Sequence, residues 1–301
     1  YEEKNRSMDN KDRVISKAVQ QQLYKKHPYR NATLGSVEHL KNPSLARMYE
    51  YYRTYYVPNN MAIAISGDID IEETIALIDR EFSIWQKKKL PKSKKLKEPK
   101  IKKVERVEVT FPGEEYVLLA FRTAARTHKD AEALSVLDMI LDNSTAGLIN
   151  LNINQQQRAR SAGSYPWTHN DYGAQYLWGI PKQDQDLAEV EVLLLEQIDR
   201  IKNGQFDESI IPAIVTDFKK SYKQRLEGNG PRVSLMRDSY LASEEWEHTV
   251  GTLDRMAKLR KKDIVKVAKK YFKDGYVAGY RRDGQIDIPS IDKPPIDKID
   301  I

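Results

Sequence analysis

The chain has 301 residues, 40% of them apolar and 31% charged, with a net charge of +6 and no cysteine. That length and apolar share support one large core or two smaller ones, and two are expected. Disulfides, thiolate metal sites and a cysteine nucleophile are excluded; no apolar run reaches the roughly 18 residues of a membrane helix, and no signal-peptide pattern opens the chain.

The opening YEEKNRSMDNKDRVISKAVQQQLYKK is rich in helix formers but has no N-cap before it, so it reads as a helix cut into at its start. HPYRNATLG breaks the pattern. NPSLARMYEYYRTYY resumes it, with Ser44 as N-cap and Leu45, Met48, Tyr52 and Tyr55 or Tyr56 on one face, expected to pack on a sheet. Pro58 and Asn59 stop this helix, Met61 to Ile65 reads as a buried strand, and Gly67-Asp68 turns the chain into a helix from Ile71 to Phe82.

Residues 87–103, KKKLPKSKKLKEPKIKK, hold ten lysines and one glutamate, a charge of +9 that leaves the rest of the chain at −3. The run has no arginine and no aromatic residue for base stacking, so it reads as a solvated interdomain linker and not as a nucleic-acid strip. Strands are expected at Val104 to Phe111 and Tyr116 to Phe121, then a helix from Asp130 to Leu141. A short helix follows in TAGLINLNINQQQRA, with strands at Ala162 to Thr168 and Ala174 to Ile180 and a strongly periodic helix ending at Gly204. Three more helices, at about Asp207 to Arg225, Pro231 to Leu241 and Lys262 to Phe272, precede a strand from Tyr276 to Arg281. The tail IDIPSIDKPPIDKIDI reads as another linker, leading into further polypeptide.

Two stretches share the order cap, helix, aromatic end, strand and polar turn: Ser44 into YYRTYY and MAIAISGD, and Asp263 into IVKVAKKYF and YVAGYRRDG. Two tandem domains of one α+β fold, joined at the lysine run, would produce this faint repeat; chance similarity at this length is the alternative.

HPYRNATLG followed by NPSLARMYEYYRTYYVPNNMAIAISGDID resembles the pitrilysin/insulinase family of zinc peptidases, and NSTAGLINLNINQQQRARSAGSY is similar to its companion domain. The resemblance implies two tandem peptidase-like domains, each an antiparallel-rich sheet packed against helices. Residues 1–86 would be the C-terminal part of a catalytic-type domain, 87–103 the linker, 104–283 the inactive companion, and 284–301 a linker tail. It also implies zinc-dependent hydrolysis of a peptide in a closing chamber, with two histidines and a glutamate holding zinc, and a second glutamate acting as base.

The five histidines, His27, His39, His128, His169 and His248, carry neither the inverted His-x-x-Glu-His motif nor its ordinary counterpart. The chain therefore reads as an internal piece starting downstream of that motif, inactive alone and binding no zinc by itself. By the resemblance, one ligand survives in this turn; adjacent helix residues point about 100° apart, so only one of the pair faces a metal, Glu3 on its spacing to Asn10, with Glu2 as the alternative. Without the resemblance, the pair is a solvated one that suits the helix dipole. His27 reads as bonded to a backbone carbonyl, and Trp167, Tyr172, Tyr176 and Trp178 as a packed sheet face. Partners implied are the peptide substrate and the remaining domains, or a homologous subunit; the alternative is a non-catalytic structural subunit of the same fold. The compartment stays open, a periplasmic or secreted bacterial one included.

Overall fold

The computed structural model describes residues 2–41 and 43–285. In chain order its elements are α1 (Glu2–Met8), α2 (Lys11–Leu23), α3 (Val37–Lys41), α4 (Leu45–Tyr55), α5 (Ile71–Phe82), β1 (Glu105–Thr110), β2 (Tyr116–Thr123) and α6 (Ala131–Leu141). A π-helical turn, Asn150–Asn154, then leads to β3 (Ser161–Thr168), β4 (Gly173–Ile180), α7 (Leu187–Lys202), α8 (Ile210–Leu226), α9 (Asn229–Ala242), α10 (Trp246–Val250), α11 (Thr252–Met256), α12 (Lys261–Tyr271) and β5 (Val277–Arg282). The fold is α+β, and its contacts define two compact units interleaved in sequence. One comprises Tyr1–Lys41, Leu96–Val215 and Asp254–Ile301; the other comprises Asn42–Lys95 and Thr216–Leu253. Most of the tail, 286–301, lies outside the described residues.

The first unit is built on a five-stranded sheet in the order β1-β5-β2-β4-β3, antiparallel except for the parallel β1–β5 pair. β2 and β4 are buried along nearly their whole length, as central strands covered on both faces must be. On one face α6, α7 and α12 supply Leu137, Ile140, Val190, Leu194, Ile264 and Val267 to the core. Phe121 meets Phe272 edge-on at 5.1 Å and stacks on Tyr276 at 4.9 Å. A Cβ at Gly179 would fall 2.4 Å from Val190 Cγ1, so glycine lets α7 lie close to the sheet.

The other face carries α2. Ile15, Val19 and Leu23, one helical turn apart, cover Leu118, Ala120, Ala174, Tyr176 and Val277. The expected single opening helix is interrupted: Asn10 accepts the N–H groups of Asp12 (3.0 Å) and Arg13 (3.1 Å) and so starts α2 as a separate helix. Trp167, Tyr172 and Trp178 pack at this face with Tyr176, as their pattern predicts.

In the second unit Ser44 caps α4 through the Arg47 N–H, and Asp70 caps α5 through the Glu73 N–H at 2.8 Å, matching the sequence signals. The expected burial is absent. Met61 to Ile65 is unpaired, with Met61, Ile63 and Ile65 exposed by 43%, 51% and 43%. Leu45, Met48, Tyr52 and Tyr56 are also exposed, and the tyrosines meet one another instead in tilted pairs (Tyr51 with Tyr55 at 4.6 Å, Tyr52 with Tyr56 at 4.8 Å). The physical reason is the lack of a partner: a strand gains its stability from pairing and facing side chains, and no described residue of this unit pairs with it.

Asp138 of α6 is buried behind β3 and β4, where it accepts hydrogen bonds from the Ser164 hydroxyl (2.8 Å) and the Gln175 amide (2.5 Å). Burial pushes its pKa up to about 6; the two hydrogen bonds lower it, and the charge of Asp142 raises it further. A carboxyl whose folded pKa lies above its unfolded value stabilises most below about pH 4 and loses that contribution as pH rises through about 6. Asp138→Asn is therefore predicted to be more stable than the wild type at pH 7.5, by on the order of 2 to 3 kcal/mol, and to lose that advantage below pH 4 in urea unfolding. In a second prediction, Gly279→Ala would put a Cβ 2.3 Å from Val19 Cγ2, and overpacking of about 1 to 3 kcal/mol should appear as a lower urea midpoint.

Candidate functional site

Both candidate ligands, Glu2 and Glu3, lie in the first turn of α1 and are exposed. Carboxylates suit that end of a helix, where free N–H groups present partial positive charge. Lys4, buried beneath them, fixes the turn by donating to the Gly35 carbonyl at 2.8 Å, while the Ser7 hydroxyl donates to the Lys4 carbonyl at 2.7 Å. The HPYRNATLG stretch thus serves as the seat of α1.

α2 ties that seat to the sheet at both ends. At its start, the buried Arg281 of β5 donates to Asp12 (2.8 Å) and to the Glu114 carbonyl (3.0 and 3.2 Å), with its guanidinium 4.9 Å from the centre of the Tyr116 ring. Each of these contacts uses part of the planar donor fork, which suits arginine to a buried position. At the end of α2, Arg122 donates to the Leu23 carbonyl, complementing the negative end of the helix, and to the Pro99 carbonyl at 2.8 Å.

The lysine-rich run is fastened in its second half. Glu98 is buried and accepts backbone N–H groups from Lys25 (2.8 Å), Lys26 (2.7 Å) and His27. The Tyr172 hydroxyl accepts the Glu98 N–H and donates to the Leu96 carbonyl, both at 3.0 Å. Burial alone would raise the Glu98 pKa, but the three backbone donors and then Arg122, 3.6 Å away, outweigh it and hold the carboxyl below its ordinary range. Sequence reasoning missed this clasp because a lone glutamate among ten lysines reads as solvated. Its partners are backbone amides, which carry no residue signature.

His27 is buried. Its Nδ1 accepts the Tyr29 N–H at 3.2 Å, so Nε2 carries the proton toward Asp171 Oδ2 at 3.2 Å. Its backbone partner is therefore an amide and not the expected carbonyl. His169 does not pair with the nearby Asp171, and the Ser164 hydroxyl turns to Asp138 instead, so these residues form no nucleophilic triad.

Glu191 of α7 forms a second buried polar centre, accepting from Arg106 Nη2 at 3.0 Å and from the Tyr276 hydroxyl at 2.6 Å, and also from Tyr280. Burial raises its pKa, but these donors bring it below the usual value. Every partner is structural.

Among the described residues no three His, Asp or Glu side chains are grouped as a metal would need, and Glu2 and Glu3 do not by themselves fit a zinc ion. No described helix is long and apolar enough to cross a membrane.

A mixed sheet with three helices on one face and a single capping helix on the other, beside an exposed acidic helix start, makes an α+β domain without a grouped catalytic or metal site among the described residues. Residues 44–216 match the family described as peptidase M16 inactive domain, more than half of the chain, and the chain belongs to that pitrilysin/insulinase-like family. It is 24% identical over 260 residues to the zinc protease PqqE of Helicobacter pylori, an alignment spanning 83% of this chain and 57% of that relative. The chain thus covers little more than half of the relative's length. A peptidase M16 inactive domain from Pseudomonas fluorescens shares the fold at a TM-score of 0.80 and 14% identity, over 95% of this chain and 68% of that one. The first half of the periplasmic protease PqqL from Escherichia coli does so at 0.74 and 15%, over 93% and 64%.

Removing the clasp should loosen the seat. Glu98→Ala leaves three backbone N–H groups without their acceptor and Arg122 without its charge partner, and a loss of about 2 to 4 kcal/mol is expected in urea unfolding. Amide exchange at Lys25 to His27 should accelerate in step with it. Because the wild-type carboxyl titrates low, its contribution is present above the ordinary carboxylate range and lost as pH falls through its depressed pKa, so Glu98→Ala and wild type should converge in strong acid.

Proposed function

We propose that the chain is part of a zinc-dependent endopeptidase, to which it contributes the end of a catalytic-type domain, a complete companion domain and one metal ligand. Membership of the inactive-domain family, together with the acidic first turn of α1 held in a polar seat, carries this reading. Residues 1–86 belong to the catalytic-type domain, 87–103 to the linker, 104–283 to the companion and 284–301 to a connection onward. In the intact protein Glu3 is the zinc ligand, with Glu2 the alternative, and the histidine pair and base come from residues outside this sequence. Zinc there supplies a lowered water pKa; this chain positions one carboxylate and half of a chamber that closes on the peptide. The exposed apolar face of α4, α5 and Met61 to Ile65 supports a wider assembly, since patches of that extent are normally covered by a partner.

The second reading is a non-catalytic structural or partner subunit, supported by the inactive description of the matched family. A periplasmic setting is supported by the structural likeness to PqqL.

The deciding experiment uses the full-length parent protein. Glu3→Gln should lower its zinc content and reduce cleavage of a quenched peptide by about 100-fold or more, whereas Glu2→Gln should change neither by more than about threefold. The reverse order would exchange the two roles, and a metal-free, inactive full-length protein would establish the structural reading. The isolated chain should cleave nothing and should bind a dye that reports exposed apolar surface.

A further inference from the structure

We propose that the outer groove of α12 binds an extended acidic peptide segment, a property independent of the peptidase reading. The inner face of the helix is apolar, with Ile264, Val267 and Ala268 buried against the rest of the unit. Its outer face lines a shallow, open groove with Lys262, Lys266 and Lys269 along the rim and the half-buried Val265 on the floor.

The opposite wall is tied together by hydrogen bonds. Gly204, at φ +68°, would place a Cβ 3.2 Å from Lys261 Cε, so glycine lets the Lys261 stem pass. The Lys261 ammonium donates to the Phe206 carbonyl at 2.7 Å above the Phe206 ring, and its backbone N–H donates to Glu208 at 3.1 Å. Lys261 and Glu208 are therefore occupied in building the wall. The remaining cations are not used in this way: among the described residues no carboxylate forms an ion pair with the side chains of Arg260, Lys262, Lys266 or Lys269.

One consideration separates this groove from an ordinary solvated helix face. Outside the lysine-rich run the chain is net negative, so a surface with a single carboxylate among five lysines and arginines stands against the surrounding charge.

The spacing selects the ligand. Lys262 and Lys266 are four residues apart, about 6 Å along the axis, and alternate side chains of an extended peptide are about 6.6 Å apart. Two carboxylates two residues apart in such a segment therefore meet Lys262 and Lys266, with Lys269 next along the same face. The lining has no aromatic residue on which a base could stack, and its rim cations are mostly lysine point charges, which disfavours a single-stranded nucleic acid.

The test is fluorescence anisotropy of a labelled octapeptide alternating glutamate and alanine, titrated with the whole chain. Saturable binding that weakens by roughly tenfold or more between low and physiological salt is expected. The triple variant Lys262→Glu, Lys266→Glu, Lys269→Glu should lose it by at least tenfold while keeping its circular dichroism and melting temperature. The same reversal at Lys92, Lys94 and Lys95 in the exposed lysine run should leave affinity within twofold. Absence of saturable binding, equal loss in both variants, or displacement of the peptide by polyphosphate or single-stranded DNA at lower concentration than by unlabelled peptide would overturn the proposal.

Discussion

The first unit depends on the close approach of α2 to the open face of its sheet. A sheet covered by helices on one side only would leave Leu118, Ala120, Tyr176 and Val277 in water, and burying a side chain such as Leu118 or Val277 is worth about 1.5 to 3 kcal/mol. α2 supplies the cover with three aliphatic residues one turn apart, and Gly279 beneath Val19 sets how near the helix can come. Buried polar contacts fix its position: Arg281 holds the start through Asp12, and Arg122 with Glu98 holds the end. Apolar burial gives the interface its strength, and the ion pairs give it register, because a buried charge displaced from its partner is costly.

That interface determines where α1 stands. The helix is short and stays attached through the Asn10 cap, the Lys4 contact to Gly35 and the turn that follows α2. The acidic turn of α1 is thus presented from a frame anchored to the sheet. The scaffold agrees with membership of a family described as inactive, whose relatives are named as zinc proteases.

Much of this architecture was legible in the residues. The 3.6-residue period of α7, the apolar runs of β2 and β4, and the caps Ser44 and Asp70 each led to the observed element, because local propensity and tertiary packing agree there. Three features were not legible. Met61 to Ile65 has a strand pattern, but pattern alone cannot supply the strand it would pair with. Glu98 is buried by backbone amides that any residues could provide. The break at Asn10 turns on whether one side chain caps the next turn or faces water, and helix-forming residues stand on both sides of it. For the site, the family resemblance and not the pattern singled out Glu2 and Glu3, while their seat on Lys4 and Gly35 became visible only when distant segments came together.

The central claim is that this chain holds a framework and at most one ligand of a metal centre. Titration of the purified chain with zinc against a chromophoric chelator tests it most directly, since a complete protein zinc site competes strongly with such chelators at neutral pH. The account predicts that the chelator takes all the zinc at micromolar concentrations, with Glu3→Ala and wild type indistinguishable. One equivalent of zinc retained by the wild type and lost on that substitution would contradict it.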